Sequence, residues 1–261
     1  MPRTLTDEMR KALQEAVLGK YIQRNRSTIA GLLARGFTDP TGALTHEGWK
    51  QGVALLPLNE QCQLMGIVLE QIRDIEFGSN PEYAAWCYFS SQGYIGGYCE
   101  GGPILLLIRA AALDILTELN TFNSRQDACS RFTEAQLTIH QKHSNLILNA
   151  IRSTDADRIA SEFSEIYTSL MIQESYPGLS TQAMVAIYHA LGNERLAQIT
   201  AAIMEAPYSY RAGWPDITMT NGEQLLWAEV KTTDRLHMSQ ISTIHRMKPL
   251  LPGNIRVVQL A

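Results

Sequence analysis

Apolar side chains recur three and four residues apart through most of the chain before residue 206, the spacing that gathers them on one face of a helix. On that pattern helices are predicted over residues 6–18, 27–35, 60–77, 104–119, 133–152, 155–173, 180–191 and 194–204, with breaks at Ser153-Thr154, Pro177-Gly178 and Gly192-Asn193. Thr6 is placed to cap the first helix and Asn193 the last. The 60–77 run rests on Leu64, Ile67, Val68 and Ile72. In 104–119 apolar side chains cover nearly every face, so this helix is predicted to be buried, with Pro103 in its first turn. An aromatic-rich segment holding Tyr83, Trp86, Tyr88, Phe89, Tyr94 and Tyr98 precedes it; such rings serve a core or stack on unpaired bases.

Beyond Pro207 the pattern changes. Pro215 has no amide donor and a fixed φ, so it breaks regular structure just where residues 216–219 begin a strand. Asn221-Gly222 is a strong hairpin signal, and residues 224–231 are long enough for the return strand. Residues 238–247 read as a short helix, ended by Pro249 and Pro252-Gly253, and 255–260 as a final strand. Glu229 and Lys231, two apart, share a face, while Ala228 and Val230 point the other way. Asp216 at the start of one strand and Glu229 late in its antiparallel partner can therefore converge. Carboxylates so placed repel unless a hard cation lies between them, which favours Mg²⁺ or Mn²⁺. Lys231 beside them can orient or help deprotonate a bound water. Upstream, Glu100 precedes Gly101-Gly102-Pro103 and the positive end of the buried helix; a carboxylate there suits a metal ligand or a helix cap. Glu162 and Glu165 are the competing candidates for a third acid.

The run Arg211, Gly213, Pro215, Asp216, then Glu229-Val230-Lys231, then Asp234-Arg235-Leu236 and Gln240 resembles the signature of the VRR-NUC nucleases of the PD-(D/E)XK superfamily, and among them the Fanconi-associated nuclease branch. Lys231-Thr232-Thr233 departs from the family's more usual Lys-Gly-Pro, at the turn after the strand. The resemblance implies a metal-dependent deoxyribonuclease with a restriction-endonuclease-like mixed α/β core of strand, strand, helix and strand. Asp216, Glu229, Glu100 and the Val230 carbonyl would hold the cation, with Glu100 supplying the third acid. Lys231 would assist the attacking water. Arg211, Arg235 and Arg256 are candidates for phosphate contacts, because guanidinium forks match phosphate oxygens, and Gln240 joins Arg211 and Arg235 as a DNA-facing candidate. The substrate class is DNA, either flapped or branched DNA in repair or phage processing, or, on the alternative reading, the DNA of a target cell. In that case the chain is an antibacterial effector neutralised by an immunity protein. A non-catalytic DNA-binding module is the third reading.

The fold expected is thus α+β: a helical N-terminal region followed by the nuclease core. Residues 1–56 form a first module, 57–206 a helical region supplying part of the active site, and 207–261 the catalytic core. In the first module, Leu32 to Gly48 resembles the helix and wing of winged-helix domains, with a Gly-closed helix, an Asp39-Pro40 and Thr41-Gly42 turn and Leu44-Thr45. Arg24, Arg26 and Arg35 are its candidate phosphate contacts; a packing or protein-interaction role stays equally open.

Composition narrows little further. Of 261 residues, 45% are hydrophobic and 18% charged, ordinary for a globular protein. The net charge of -4 and pI near 5.9 argue against coating nucleic acid by charge alone, so DNA contact must be local and metal-assisted. Cys62, Cys87, Cys99 and Cys129 lack zinc-site spacing and read as thiols of a reducing compartment. His140 and His143 read as solvent-facing. The N-terminus lacks a signal-peptide core, and the longest apolar run is interrupted by Arg109 and Asp114, too short for a membrane span. The expected location is the cytoplasm where the protein is made.

Overall fold

The structure is a computed structural model that describes residues 4–20, 25–121 and 124–261. Helices α1 (Asp7–Val17), α2 (Arg26–Leu33), α3 (His46–Ala54) and α4 (Leu58–Met65) lead into strand β1 (Val68–Ile72), helix α5 (Pro81–Ser91) and the short strand β2 (Ile95–Gly97). A helical layer follows: α6 (Gly102–Ala111), α7 (Leu113–Leu119), α8 (Arg125–Ser130), α9 (Thr133–Ile139), α10 (Ser144–Ser153), α11 (Ala156–Ile166), α12 (Leu170–Ser175), α13 (Thr181–Leu191) and α14 (Asn193–Glu205). The C-terminal stretch supplies β3 (Ile217–Thr220), β4 (Leu225–Lys231), α15 (Met238–Met247) and β5 (Asn254–Leu260).

The strands form one mixed sheet in the order β1-β5-β4-β3-β2. β5 pairs parallel with both β1 and β4, whereas β3 pairs antiparallel with β4 and with β2. Alternation along the strands gives the sheet two apolar faces. Leu226, Ala228, Val230, Ile217, Met219, Val258 and Leu260 pack against Ala85 and Phe89 of α5. Leu225, Trp227 and Val257 join the larger core with the helical layer. At its centre α6 is buried from Gly102 to Ala111, as its unbroken apolar pattern requires. The architecture is therefore α+β, a helical body around a mixed sheet.

Several expected elements take other forms. The run 60–77 is not one helix: Gly66, at φ 62°, closes α4 with a left-handed cap, and Val68 onward becomes β1, an edge strand bonded along β5. Two strands of the sheet thus arise within residues 57–206, and the core extends beyond strand, strand, helix and strand. The segment 104–119 breaks at Ala112, 133–152 at a 3₁₀ turn over Gln141–His143, and 155–173 after Ile166. The aromatic segment is helical from Pro81 to Ser91 as α5, opened by Asn80, whose side chain accepts from the Tyr83 amide, and by Pro81, while Tyr94 and Tyr98 lie on either side of β2. The Asn221-Gly222 turn is a four-residue loop, since Thr220 pairs with Leu225 and the Asn221 side chain accepts from the amides of Glu223 and Gln224. His140 is buried rather than solvent-facing, and burial lowers its pKa.

The stretch read as a wing is a tight turn closed by one bridge, Thr38 to Leu44. The Asp39 carboxylate gathers the amides of Thr41 and Ala43, and Thr45 caps α3. Helix α3 packs on both α1 and α15. Trp49 lies 4.3 Å from His245 of α15, ring to ring. Gln61, fully buried, donates to the carbonyls of Val53 and Leu236 and accepts from the Leu236 amide. Among the described residues no helix is long and apolar enough to cross a membrane.

Candidate active site

Register brings the first two acids together. Ile217 pairs with Ala228, so one further step along the antiparallel ladder sets Asp216 opposite Glu229, both on the face away from α5. The Asp216 carboxylate accepts from the Val230 amide at 2.8 Å, which ties the start of β3 to the end of β4. Glu229 is 0% exposed. Its Oε1 accepts from Lys231 Nζ at 2.9 Å and also from the Gln240 amide. Its Oε2 is buried and finds no hydrogen-bond partner among the described residues.

The electrostatics follow from burying two acids side by side. Burial raises Asp216 to about 6 from its ordinary 3.8; the Val230 amide and Lys231 pull it down, while Glu82 and Glu100 push it up. Glu229 is held well above the ordinary carboxylate range, by burial first and then by Asp216, against the pull of Lys231. For Lys231, burial favours the neutral amine, but Glu229 and Asp234, the latter 3.2 Å away, outweigh it and keep the ammonium above its usual pKa. Such a site is short of positive charge, and a buried carboxylate oxygen without a partner is costly unless something satisfies it.

Two glycines let the chain bring the rest of the site close. Gly101 sits at φ 67°, and a Cβ there would lie 2.6 Å from the Trp214 ring. Gly213, at φ 88°, leaves no room for a Cβ, which would lie 2.3 Å from the Ser239 carbonyl. Its amide donates to the Glu100 carboxylate. Glu100 is therefore anchored to the Arg211–Asp216 segment, within electrostatic reach of both acids. Even so, no group of three or more His, Cys, Asp or Glu side chains able to hold a metal ion is assembled among the described residues.

The remaining sequence candidates separate into different roles. Both ends of the half-buried Gln240 amide are engaged within the chain: its Nε2 donates to Glu229 while its Oε1 accepts from the His237 amide at the start of α15. Arg235 is exposed, and its Nη1 donates to the carbonyls of Leu55 and Leu56, which ties it to the N-terminal helices. Arg256 is paired with Glu70 at 2.7 Å. Arg211 keeps its side chain 66% exposed, 3.8 Å from Glu134 and 6.0 Å above the Phe132 ring, so its guanidinium is open to a ligand. Glu162 and Glu165 are ion-paired with Arg125, whereas Glu100 acts on both Asp216 and Glu229. Arg26 is exposed on α2, Arg35 bonds the Gly31 carbonyl, and Arg24 lies outside the described residues. Sequence reasoning missed Glu82, the acid in the first turn of α5 that acts on Asp216. The Asn80-Pro81 helix start was the signal that could have found it.

Comparison with known proteins bears on the fold. No family model matches the chain, and no curated protein does. Among solved structures it is similar to crystal structures of paFAN1, a Fanconi-associated nuclease, bound to 5′-flap DNA with a gap. With a two-nucleotide flap the TM-score is 0.58 at 16% identity, over 97% of this chain and 48% of that one. With a one-nucleotide flap it is 0.52 at 16% identity, over 97% and 49%. The chain shares their fold and spans about half of their length.

Proposed function

We propose that the chain is a divalent-cation-dependent DNA nuclease of the VRR-NUC, Fanconi-associated type that hydrolyses phosphodiester bonds in flapped or branched DNA. The observation that carries this reading is the buried Asp216–Glu229 pair with its unpartnered Glu229 oxygen beside Lys231, supported by a fold shared with a nuclease crystallised on flap DNA. The donor set fits Mg²⁺ or Mn²⁺: all-oxygen, doubly acidic and deprived of water. Asp216, Glu229 and the Val230 carbonyl would hold the ion, with Glu100 as the nearest further acid. Such an ion supplies Lewis acidity toward the phosphate and a water of lowered pKa.

The chain's own groups supply the rest. Gln240 fixes the Glu229 carboxylate through Oε1 and leaves Oε2 for a ligand. Lys231, kept protonated by Glu229 and Asp234, acts as a fixed hydrogen-bond donor that orients the attacking water and meets charge developing on the phosphate. Arg211 offers an exposed fork for a neighbouring phosphate oxygen.

The test is cleavage of end-labelled linear, flapped and branched DNAs by the purified chain. Products are expected with Mg²⁺ or Mn²⁺ and none with EDTA, and Asp216→Ala and Lys231→Ala should each abolish them while the protein still melts cooperatively. Full activity in either variant refutes the assignment.

A further inference from the structure

We propose that Tyr83, Trp86 and Tyr98 form a subsite for an unpaired nucleobase of the DNA strand that enters between the acids. The three rings make one continuous aromatic surface. Tyr83 and Trp86 stack with centroids 5.7 Å apart and planes 23° from parallel. Tyr98 meets Tyr83 edge-on at 5.5 Å and lies 5.6 Å from Trp86. Trp86 is fixed by its ring N–H, which donates to the Gly96 carbonyl at 3.2 Å. Beneath it Ala85 and Phe89 of the same helix are packed into the sheet. The cluster is thus rigidly backed, yet Tyr83 remains 46% exposed. Tyr83 also walls, with Ile75, Phe77 and Tyr88, an open cleft of about 490 Å³.

Its place in the chain ties it to the chemistry. Tyr83 directly follows Glu82 and Tyr98 lies two residues before Glu100, the two acids that both raise Asp216. Charge then selects the ligand. With Glu82 next to Tyr83 and Glu100 two residues after Tyr98 in the chain, a backbone phosphate is disfavoured, whereas a base presents an uncharged π-face. A base inside a duplex is already stacked above and below, whereas an unpaired one has a face to offer. The proposal rests on the nuclease reading for the identity of the strand; the stacking itself is measured without cleavage.

The experiment uses the full chain in Ca²⁺ with flapped DNA carrying 2-aminopurine at successive positions of the unpaired arm, or within the duplex. Stacking on tyrosine or tryptophan quenches this fluorophore. Quenching is expected at one or two arm positions with the wild type and with Tyr83→Phe. Tyr83→Leu, which keeps an apolar side chain on an exposed helix position, should lose the quenching and weaken flap binding about 5- to 100-fold, the range for one base–aromatic stack. Quenching that persists in Tyr83→Leu, or bound flap with no arm position quenched, overturns the subsite and leaves the rings to a protein partner. Cleavage is followed in parallel with Mg²⁺. A chain that quenches but does not cut keeps the subsite and loses the nuclease reading, one that cuts without quenching does the reverse, and one that binds no DNA loses both.

Discussion

Asp216→Asn should make the cation-free protein more stable, at the very position proposed for catalysis. Asparagine is isosteric, keeps an acceptor for the Val230 amide, and removes a carboxylate that burial raises from 3.8 to about 6. For an acid whose folded pKa is raised, the folded state holds the proton over a window in which the unfolded chain has released it. Stability therefore falls as pH rises from about 4 to about 6 and stays lower above. A rise of roughly two pH units corresponds to about 3 kcal/mol at pH 7.5. At a few degrees per kcal/mol for a chain of this size, that is roughly 6–12 °C in Tm. Thermal unfolding in EDTA at pH 7.5 and pH 4 measures it: Asp216→Asn should melt higher at pH 7.5 and equal to wild type near pH 4. Mg²⁺ should then close the gap by stabilising the wild type, which it binds in the folded state. A variant no more stable than wild type at pH 7.5, or a difference independent of pH, refutes the picture of a frustrated acid pair.

Lys231→Met removes the donor beside Glu229 and is expected to slow single-turnover cleavage by about 100-fold or more; a rate within a few-fold of wild type would rule out its role at the reacting water. Gln240→Leu should free the Glu229 carboxylate and cut Mn²⁺ affinity about 10- to 100-fold, read by titration calorimetry, with unchanged affinity refuting an orienting role. Gln61→Leu strands the Leu236 amide and the carbonyls of Val53 and Leu236 in the interior. It should cost about 2–3 kcal/mol or more in urea unfolding, and a loss under about 0.5 kcal/mol would mean that the N-terminal helices are held by other contacts.

What was legible in the sequence was what is local. The C-terminal hairpin could be read because its breakers, Pro215 and Asn221-Gly222, are strong and the run to Lys231 is long enough for a return strand; α15 runs over 238–247 as its spacing predicts. The approach of Asp216 to Glu229 followed from strand alternation alone. The edge strands were hidden for a physical reason. Among the described residues β1 is bonded only along β5, far along the chain, and its side chains are partly exposed on both faces, so it shows no alternation. β2 contains Gly96, where a Cβ would lie 2.1 Å from the Thr218 carbonyl; close backbone approach leaves no side-chain pattern to see. Residue type likewise did not reveal partner. Arg235, Arg256 and Gln240 have the chemistry for phosphate, and each also meets a carbonyl or carboxylate that only the tertiary fold brings near.

The position of β5 has a consequence for how the protein is made. It is the last of the five strands to be synthesised, yet it lies inside the sheet between β1 and β4. Until it emerges, β1 has nothing to pair with and β4 is bonded along one side only. On a ribosome the earlier strands must wait, and the end of β4 that carries Glu229 and Lys231 stays unsupported next to Val257 and Gln259, its register partners on β5. The acid pair is thus set in place only once β5 has been made, and a chain cut short before Asn254 would carry every acidic residue of the site without the strand that holds them in register.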